Sequence, residues 1–188
     1  MNINKNHYLE GSWPQGLESH PSAFFNARPV NTEVNLLVIH CISLPEGEYG
    51  HPYIQELFTG TLDVKAHLSF ESLDGVKVSA HLVITRGGKI MQFVPFDQRS
   101  WHAGVSSFQG RENCNDYSIG IELEGTDKDV FTDSQYEALN QVIALIQAKY
   151  PGITPDRIVG HSDIAPGRKS DPGAGFDWKR VMAKWETE

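Results

Sequence analysis

The chain has 188 residues, 39% of them hydrophobic, a formal charge of −8 and a sequence pI near 5.4. That length supports one domain with a substantial core. The acidic balance without a lysine–arginine block argues against a nucleic-acid partner, and no apolar run is long enough to span a bilayer. The opening Met1-Asn2-Ile3-Asn4-Lys5-Asn6-His7 lacks the apolar core of a signal peptide. Two cysteines, Cys41 and Cys114, fit reduced thiols better than a disulfide framework, and the expected compartment is the cytoplasm.

Residues 1–30 are polar and turn-rich and read as a segment that wraps the surface. Residues 34–40, rich in Val, Ile and Leu, predict a buried strand that ends on His40. Ser43 to Gly50 reads as a loop, and Tyr53 to Phe58 as a short helix stopped near Gly60. Strands are expected at 78–84 and 89–94, with the turn signal Arg86-Gly87-Gly88-Lys89 between them. Residues 97–117 form a long loop containing Trp101-His102-Ala103-Gly104, and loops of this length inside a domain are usually functional.

Ser118 to Leu123 is a fourth strand. The clearest helix runs from about Asp133 to Tyr150, capped by Thr132 with Gln135 at the capping-box position. Tyr136, Leu139, Ile143, Ile146 and Tyr150 give it one apolar face, and Pro151-Gly152 stops it. Thr154-Pro155 opens a turn, and Ile158-Val159 form a fifth strand leading to His161. A last helix begins at Asp177, with Trp178, Val181, Met182 and Trp185 on one face and a Phe176–Val181 staple. The fold class expected is α/β of the α+β type, a central mixed sheet with helices packed against it, in one domain over 1–188.

Chemistry concentrates in Gly160-His161-Ser162-Asp163-Ile164-Ala165-Pro166-Gly167-Arg168-Lys169-Ser170-Asp171-Pro172-Gly173. Prolines stiffen this loop and glycines permit unusual backbone angles, so His161 and Asp171 can meet. With His40 they make two imidazoles and a carboxylate, the donor set of an open zinc site with room for a water. Asp163 ranks below Asp171 as a ligand and reads as a loop hydrogen-bonder. Alternation puts Glu122 and Glu124 on one strand face, and either carboxylate beside zinc suits general base and then acid. Lys169 suits an oxyanion stabiliser near such a centre. His81 reads as a core histidine or a support for the site, and Cys41 should face away from His40. His102 and Trp101 are candidates to line a substrate groove; Arg86, Arg111 and Arg168 are candidates to meet substrate carboxylates. His7, His20, His51 and His67 read as surface residues.

Four segments in order carry a likeness: VNLLVIHCISLPEGEYG at 34–50, VSAHLVITRGGKIMQFVPFDQRSWHAGVS at 78–106, NCNDYSIGIELEGTD at 113–127 and VGHSDIAPGRKSDPG at 159–173. Over about residues 28–178 the chain resembles the zinc N-acetylmuramoyl-L-alanine amidases, the family that includes peptidoglycan recognition proteins and phage amidase lysozymes. The likeness is strongest to the branch that acts in cytoplasmic peptidoglycan recycling. It implies zinc held by His40, His161 and Asp171, Glu122 rather than Glu124 as the catalytic carboxylate, and Lys169 as the group that stabilises the transition state. The implied reaction is hydrolysis of the amide joining the lactyl group of muramic acid to L-alanine, with 1,6-anhydro-muramyl peptides preferred. The partner implied is a small muropeptide, with neither nucleic acid nor membrane, and a monomer is expected. Two positions depart from many relatives: Ala80 stands where a tyrosine is common before the second-strand histidine, and Cys41 where close relatives often carry Asn. The competing readings are a non-catalytic muropeptide-binding or regulatory module, and an amidase acting on polymeric peptidoglycan.

Overall fold

Aliphatic runs and alternating segments assemble into one six-stranded sheet in a computed structural model that describes residues 1–182. Its strands are β1 (Leu17–Ser19), β2 (Leu36–Ile42), β3 (Leu82–Ile84), β4 (Ile90–Gln92), β5 (Ser118–Glu124) and β6 (Ile158–Gly160), in the order β6-β2-β5-β3-β4-β1. β6, β2, β5 and β3 run parallel, β4 is antiparallel to β3, and β1 is parallel to β4. β2 and β5 are interior strands with both faces covered, which explains why β2 reads as an almost unbroken apolar run.

One face carries Leu37, Ile39, Ile119, Ile121, Leu123, Leu82 and Ile84. Helix α2 (Asp133–Lys149) covers it with Leu139, Val142, Ile143 and Ile146, and burying each such side chain contributes about 1.5–3 kcal/mol. Thr132 and Gln135 form the expected capping box: Thr132 Oγ1 accepts from the Gln135 amide at 3.1 Å, and Gln135 Oε1 accepts from the Thr132 amide at 3.0 Å. The last described helix, Trp178–Met182, follows Phe176, which packs edge-on to Trp178; Trp185 and the side chain of Met182 lie outside the described residues. The second face is covered by α1 (Tyr53–Thr59), by a helical turn at His161–Ile164 and by the 97–117 segment. None of the described helices is long and apolar enough to cross a membrane.

Several sequence expectations are corrected. The N-terminal segment does more than wrap the surface. It supplies edge strand β1, buries Leu9 and Trp13 in the core, and sends the Arg28 guanidinium inward to the carbonyls of Phe96, Asn115, Asp116 and Ser118. The strand expected at 78–84 begins only at Leu82, because the Ser79 amide pairs with the Trp101 carbonyl instead of a sheet neighbour. The long 97–117 loop contains Gln98–Ser100 paired with Phe25–Ala27, and a hairpin of Ser107–Phe108 with Arg111–Glu112. His161 opens a helical turn instead of lying in a loop, and the Asp163 carboxylate caps that turn by accepting from the Gly160 amide at 2.7 Å.

Candidate metal centre and catalytic site

The sheet register assembles the site. Glu122 on β5 sits directly opposite His40 on β2, and Val83 on β3 continues the row. Period-two alternation sends Glu122 and His40 to the face away from α2, while Cys41 packs toward the α2 side. β6 pairs with β2 through Gly160 and Ile39, so the following residue, His161, emerges beside His40. The segment after the turn folds back until the Asp171 carbonyl accepts from the Ser162 amide at 3.0 Å, which returns the Asp171 side chain to the same point.

His40 Nδ1, His161 Nδ1 and Asp171 Oδ2 form a triangle with 3.0 Å between each pair. They are the one group of three such donors that meets among the described residues. The two imidazoles are almost completely buried, at 1% and 3% exposure. Burial pushes His40 down to about 4, against the upward pull of the Asp171 carboxylate. Burial alone would raise the Asp171 carboxyl, but its contacts with His161 and His40 prevail and hold it well below the usual carboxylate range.

The triangle needs a positive charge, and its donor set fits a metal ion. His161 Nε2 lies 3.1 Å from the Ala103 carbonyl oxygen, which can only accept. The ring proton of neutral His161 is therefore on Nε2, and its Nδ1 presents a bare lone pair to Asp171 Oδ2. Two acceptors 3.0 Å apart in a buried pocket repel unless a positive charge joins them. Two imidazole nitrogens and a carboxylate oxygen are the donor types of a three-ligand zinc centre.

The two carboxylates of β5 separate cleanly. Both Glu124 oxygens are occupied, Oε1 by the Gly50 amide at 2.7 Å and Oε2 by the Arg86 amide at 2.8 Å, so Glu124 ties two loops together. Glu122 is also buried, but its Oε2 has no hydrogen-bond partner. Burial raises its carboxyl well above the ordinary value, the Asp171 carboxylate adds to the rise, and the Lys169 ammonium opposes it. Lys169 is exposed at the rim, close enough for its charge to act on both Glu122 and His40.

The structure does not bring all the other candidates to the centre. Trp101 is half-buried, stacks on Phe24 and donates its indole N–H to Asn26. Arg86 donates to the Val130 carbonyl and lies over the Tyr49 ring. Arg111 covers Tyr117. Arg168 braces the Ala103 and Val105 carbonyls next to His161. His81 is a buried support residue whose Nδ1 accepts from the Gly120 amide at 3.0 Å. His102 has both ring nitrogens engaged by protein, Nδ1 with His40 Nε2 at 2.8 Å and Nε2 with Ser118 Oγ at 3.0 Å. Of the four histidines read as surface residues, His7 and His20 are half-buried and His51 and His67 are exposed. Sequence reasoning missed Asn115, Ser118 and Gly120 around the centre. A signal existed: Ser118 and Gly120 alternate with Ile119 and Ile121, so they share the face of Glu122.

A cleft of about 540 Å³ opens beside this row, lined by Val83, Met91, Arg86, Lys89, Tyr49 and Glu124 among others. A second, of about 330 Å³, borders Asp171, Cys41 and Asp127.

Residues 30–174 match the model of the N-acetylmuramoyl-L-alanine amidase family. The chain is 53% identical to the 1,6-anhydro-N-acetylmuramyl-L-alanine amidase AmpD of Escherichia coli K12, over 95% of this chain and 98% of that one. A crystal structure of a selenomethionine derivative of AmpD superposes with a TM-score of 0.91 at 49% identity, covering 97% of this chain and 98% of that chain. The amidase AmiD of E. coli, solved with the substrate anhydro-N-acetylmuramic acid-L-Ala-D-γ-Glu-L-Lys, superposes with a TM-score of 0.60 at 30% identity, over 84% of this chain and 60% of that one. The chain belongs to the N-acetylmuramoyl-L-alanine amidase family.

Proposed function

We propose that this amidase cleaves the amide between the lactyl group of 1,6-anhydro-N-acetylmuramic acid and L-alanine in cytoplasmic peptidoglycan recycling, with zinc held by His40, His161 and Asp171. The observation that carries the reading is the triangle of donors with 3.0 Å sides, set one strand from a buried carboxylate that lacks a partner. The near full-length identity to AmpD supports the choice of substrate. The two free cysteines suit a reducing compartment.

Zinc at these three residues supplies Lewis-acid polarisation of the scissile carbonyl and lowers the pKa of a water toward ~7. Glu122 is the general base: in its carboxylate form, made more basic by burial, it takes a proton from the attacking water as the new C–O bond forms. Lys169 sets its ammonium toward the oxygen that gains charge. Glu122 then returns the proton to the L-alanine nitrogen as the C–N bond breaks, leaving a lactyl carboxylic acid and a free peptide amine, and the acid gives up its remaining proton to the amine or to solvent. The 540 Å³ cleft next to Glu124 has the size of a site for a small ligand such as a muropeptide.

The test is hydrolysis of anhydro-muramyl tripeptide by the purified protein, with a chelator and then with zinc restored, scored by released L-alanyl peptide. Zinc-dependent release is expected. A folded protein that binds the muropeptide without turnover, zinc-loaded or not, would replace this reading with a binding module.

A further inference from the structure

Resting on the zinc reading above, we propose that the His102–Ala103 dipeptide fixes the ring-proton arrangement of both ligand imidazoles, with His102 a positioning residue for His40. Ser118 Oγ lies 2.6 Å from the Cys114 carbonyl oxygen. Two oxygens that close need a proton between them, and only the serine has one to give. The Ser118 oxygen therefore accepts, and its partner at 3.0 Å, His102 Nε2, carries the ring proton. His102 Nδ1 is then bare and accepts the Nε2–H of His40 at 2.8 Å. This leaves His40 Nδ1, the atom facing His161 and Asp171, with its lone pair free. The next residue does the same for the other ligand, since the Ala103 carbonyl takes the Nε2–H of His161 at 3.1 Å.

The dipeptide is itself held on several sides. Asn115 Oδ1 accepts from the amides of His102 at 3.1 Å and Ala103 at 2.8 Å. Arg168 donates to the Ala103 carbonyl at 2.7 Å. The His102 ring lies across Gly120, where an added Cβ would come within 2.5 Å of its Cγ. The His40 and His102 rings meet edge-on at 85°, the attitude that aims a ring N–H at a neighbouring ring nitrogen. Groups that hold a ligand's far nitrogen typically change metal affinity by about 10- to 100-fold when removed.

The experiment compares zinc affinity, by chelator competition, with the thermal midpoint and kcat in the full chain and in His102→Phe, His102→Gln and Ser118→Ala. His102→Phe keeps a ring but removes both nitrogens, and should weaken zinc binding by about 10- to 100-fold while the protein stays folded. His102→Gln offers an acceptor to His40 and a donor to Ser118, and should recover part of that loss. Ser118→Ala should weaken zinc in the same direction by less. A folded His102→Phe protein with unchanged zinc affinity overturns the proposal. So does a Gln variant no better than Phe, because the residue would then serve packing alone. If His102→Phe does not fold, Ser118→Ala decides, and wild-type affinity there overturns the proposal. Wild-type protein without zinc, or His40→Ala that keeps it, brings down the zinc reading itself and this inference with it.

Discussion

Glu122 and Glu124 differ by two residues on one strand face, and the structure predicts opposite consequences for the same substitution. Glu122→Gln preserves shape but removes the proposed base. A positioned general base contributes about 10²–10⁴ in rate, so kcat should fall by that factor, equivalent to about 2.7–5.4 kcal/mol of barrier at 1.36 kcal/mol per decade. Zinc content should be unchanged, because Glu122 Oε2 bonds to none of the three donors. Stability of the metal-free protein should not fall. Glu122 binds its proton more tightly folded than unfolded, so its stabilising contribution is complete below about 4.5 and is lost as pH rises through the elevated folded value. Gln removes that loss, so the variant gains on wild type as pH rises.

Glu124→Gln is the converse. Its carboxylate accepts from two amides, Gly50 and Arg86, and a Gln oxygen can keep only one. Losing one hydrogen bond to a buried charged group costs about 1.5–3 kcal/mol, a midpoint drop of roughly 3–12 °C at 2–4 °C per kcal/mol for a chain this size. Turnover per folded molecule should be largely retained. Steady-state kinetics, zinc analysis and calorimetry on both variants read these quantities. Near-normal kcat in Glu122→Gln, or a severe kcat loss confined to Glu124→Gln, would refute the assignment.

Asp171→Ala should lose stoichiometric zinc, and a variant that still carries one zinc per chain removes Asp171 from the centre. Chelation of the wild type should lower its thermal midpoint, because a ligand present at a thousand times its Kd contributes about 4 kcal/mol to the folded state; an unchanged midpoint would argue against a bound ion. His81, fully buried and neutral, is depressed by burial and then by the Arg28 charge from 6.5 to about 3. Its contribution is complete above 6.5 and declines as pH falls toward 3, at about 1.4 kcal/mol per pH unit. Urea midpoints of wild type and His81→Gln between pH 7 and 4 should differ in slope by that one proton, and parallel profiles would show that His81 does not titrate in this way.

The sequence was most legible where one periodicity dominated. The Thr132–Gln135 capping box and the 3.6-residue apolar face of α2 are local, so the helix over 133–149 needed no tertiary information. The strand alternation that turns Cys41 away from His40 is equally local. Boundaries at 78–84 were misread because pairing of Ser79 with Trp101 is a long-range choice with no local signal. The N-terminal segment was underestimated for the same reason: Arg28 reaches carbonyls far along the chain, and Leu17–Ser19 finds β4 only in three dimensions.

At the candidate site the division follows the same physics. Residue types alone determined that two imidazoles, two carboxylates and a lysine were available for zinc chemistry, because donor identity is a property of each side chain. Which atoms meet depends on register and on hydrogen bonds between distant segments, and only the tertiary structure decided that. It set Glu122 beside His40 while occupying both oxygens of Glu124. It also drew His102, which the sequence offered to a substrate, between His40 and Ser118, because the missing side chain at Gly120 leaves room for an imidazole there, and only the folding of the 97–117 segment over the sheet brings this one to it.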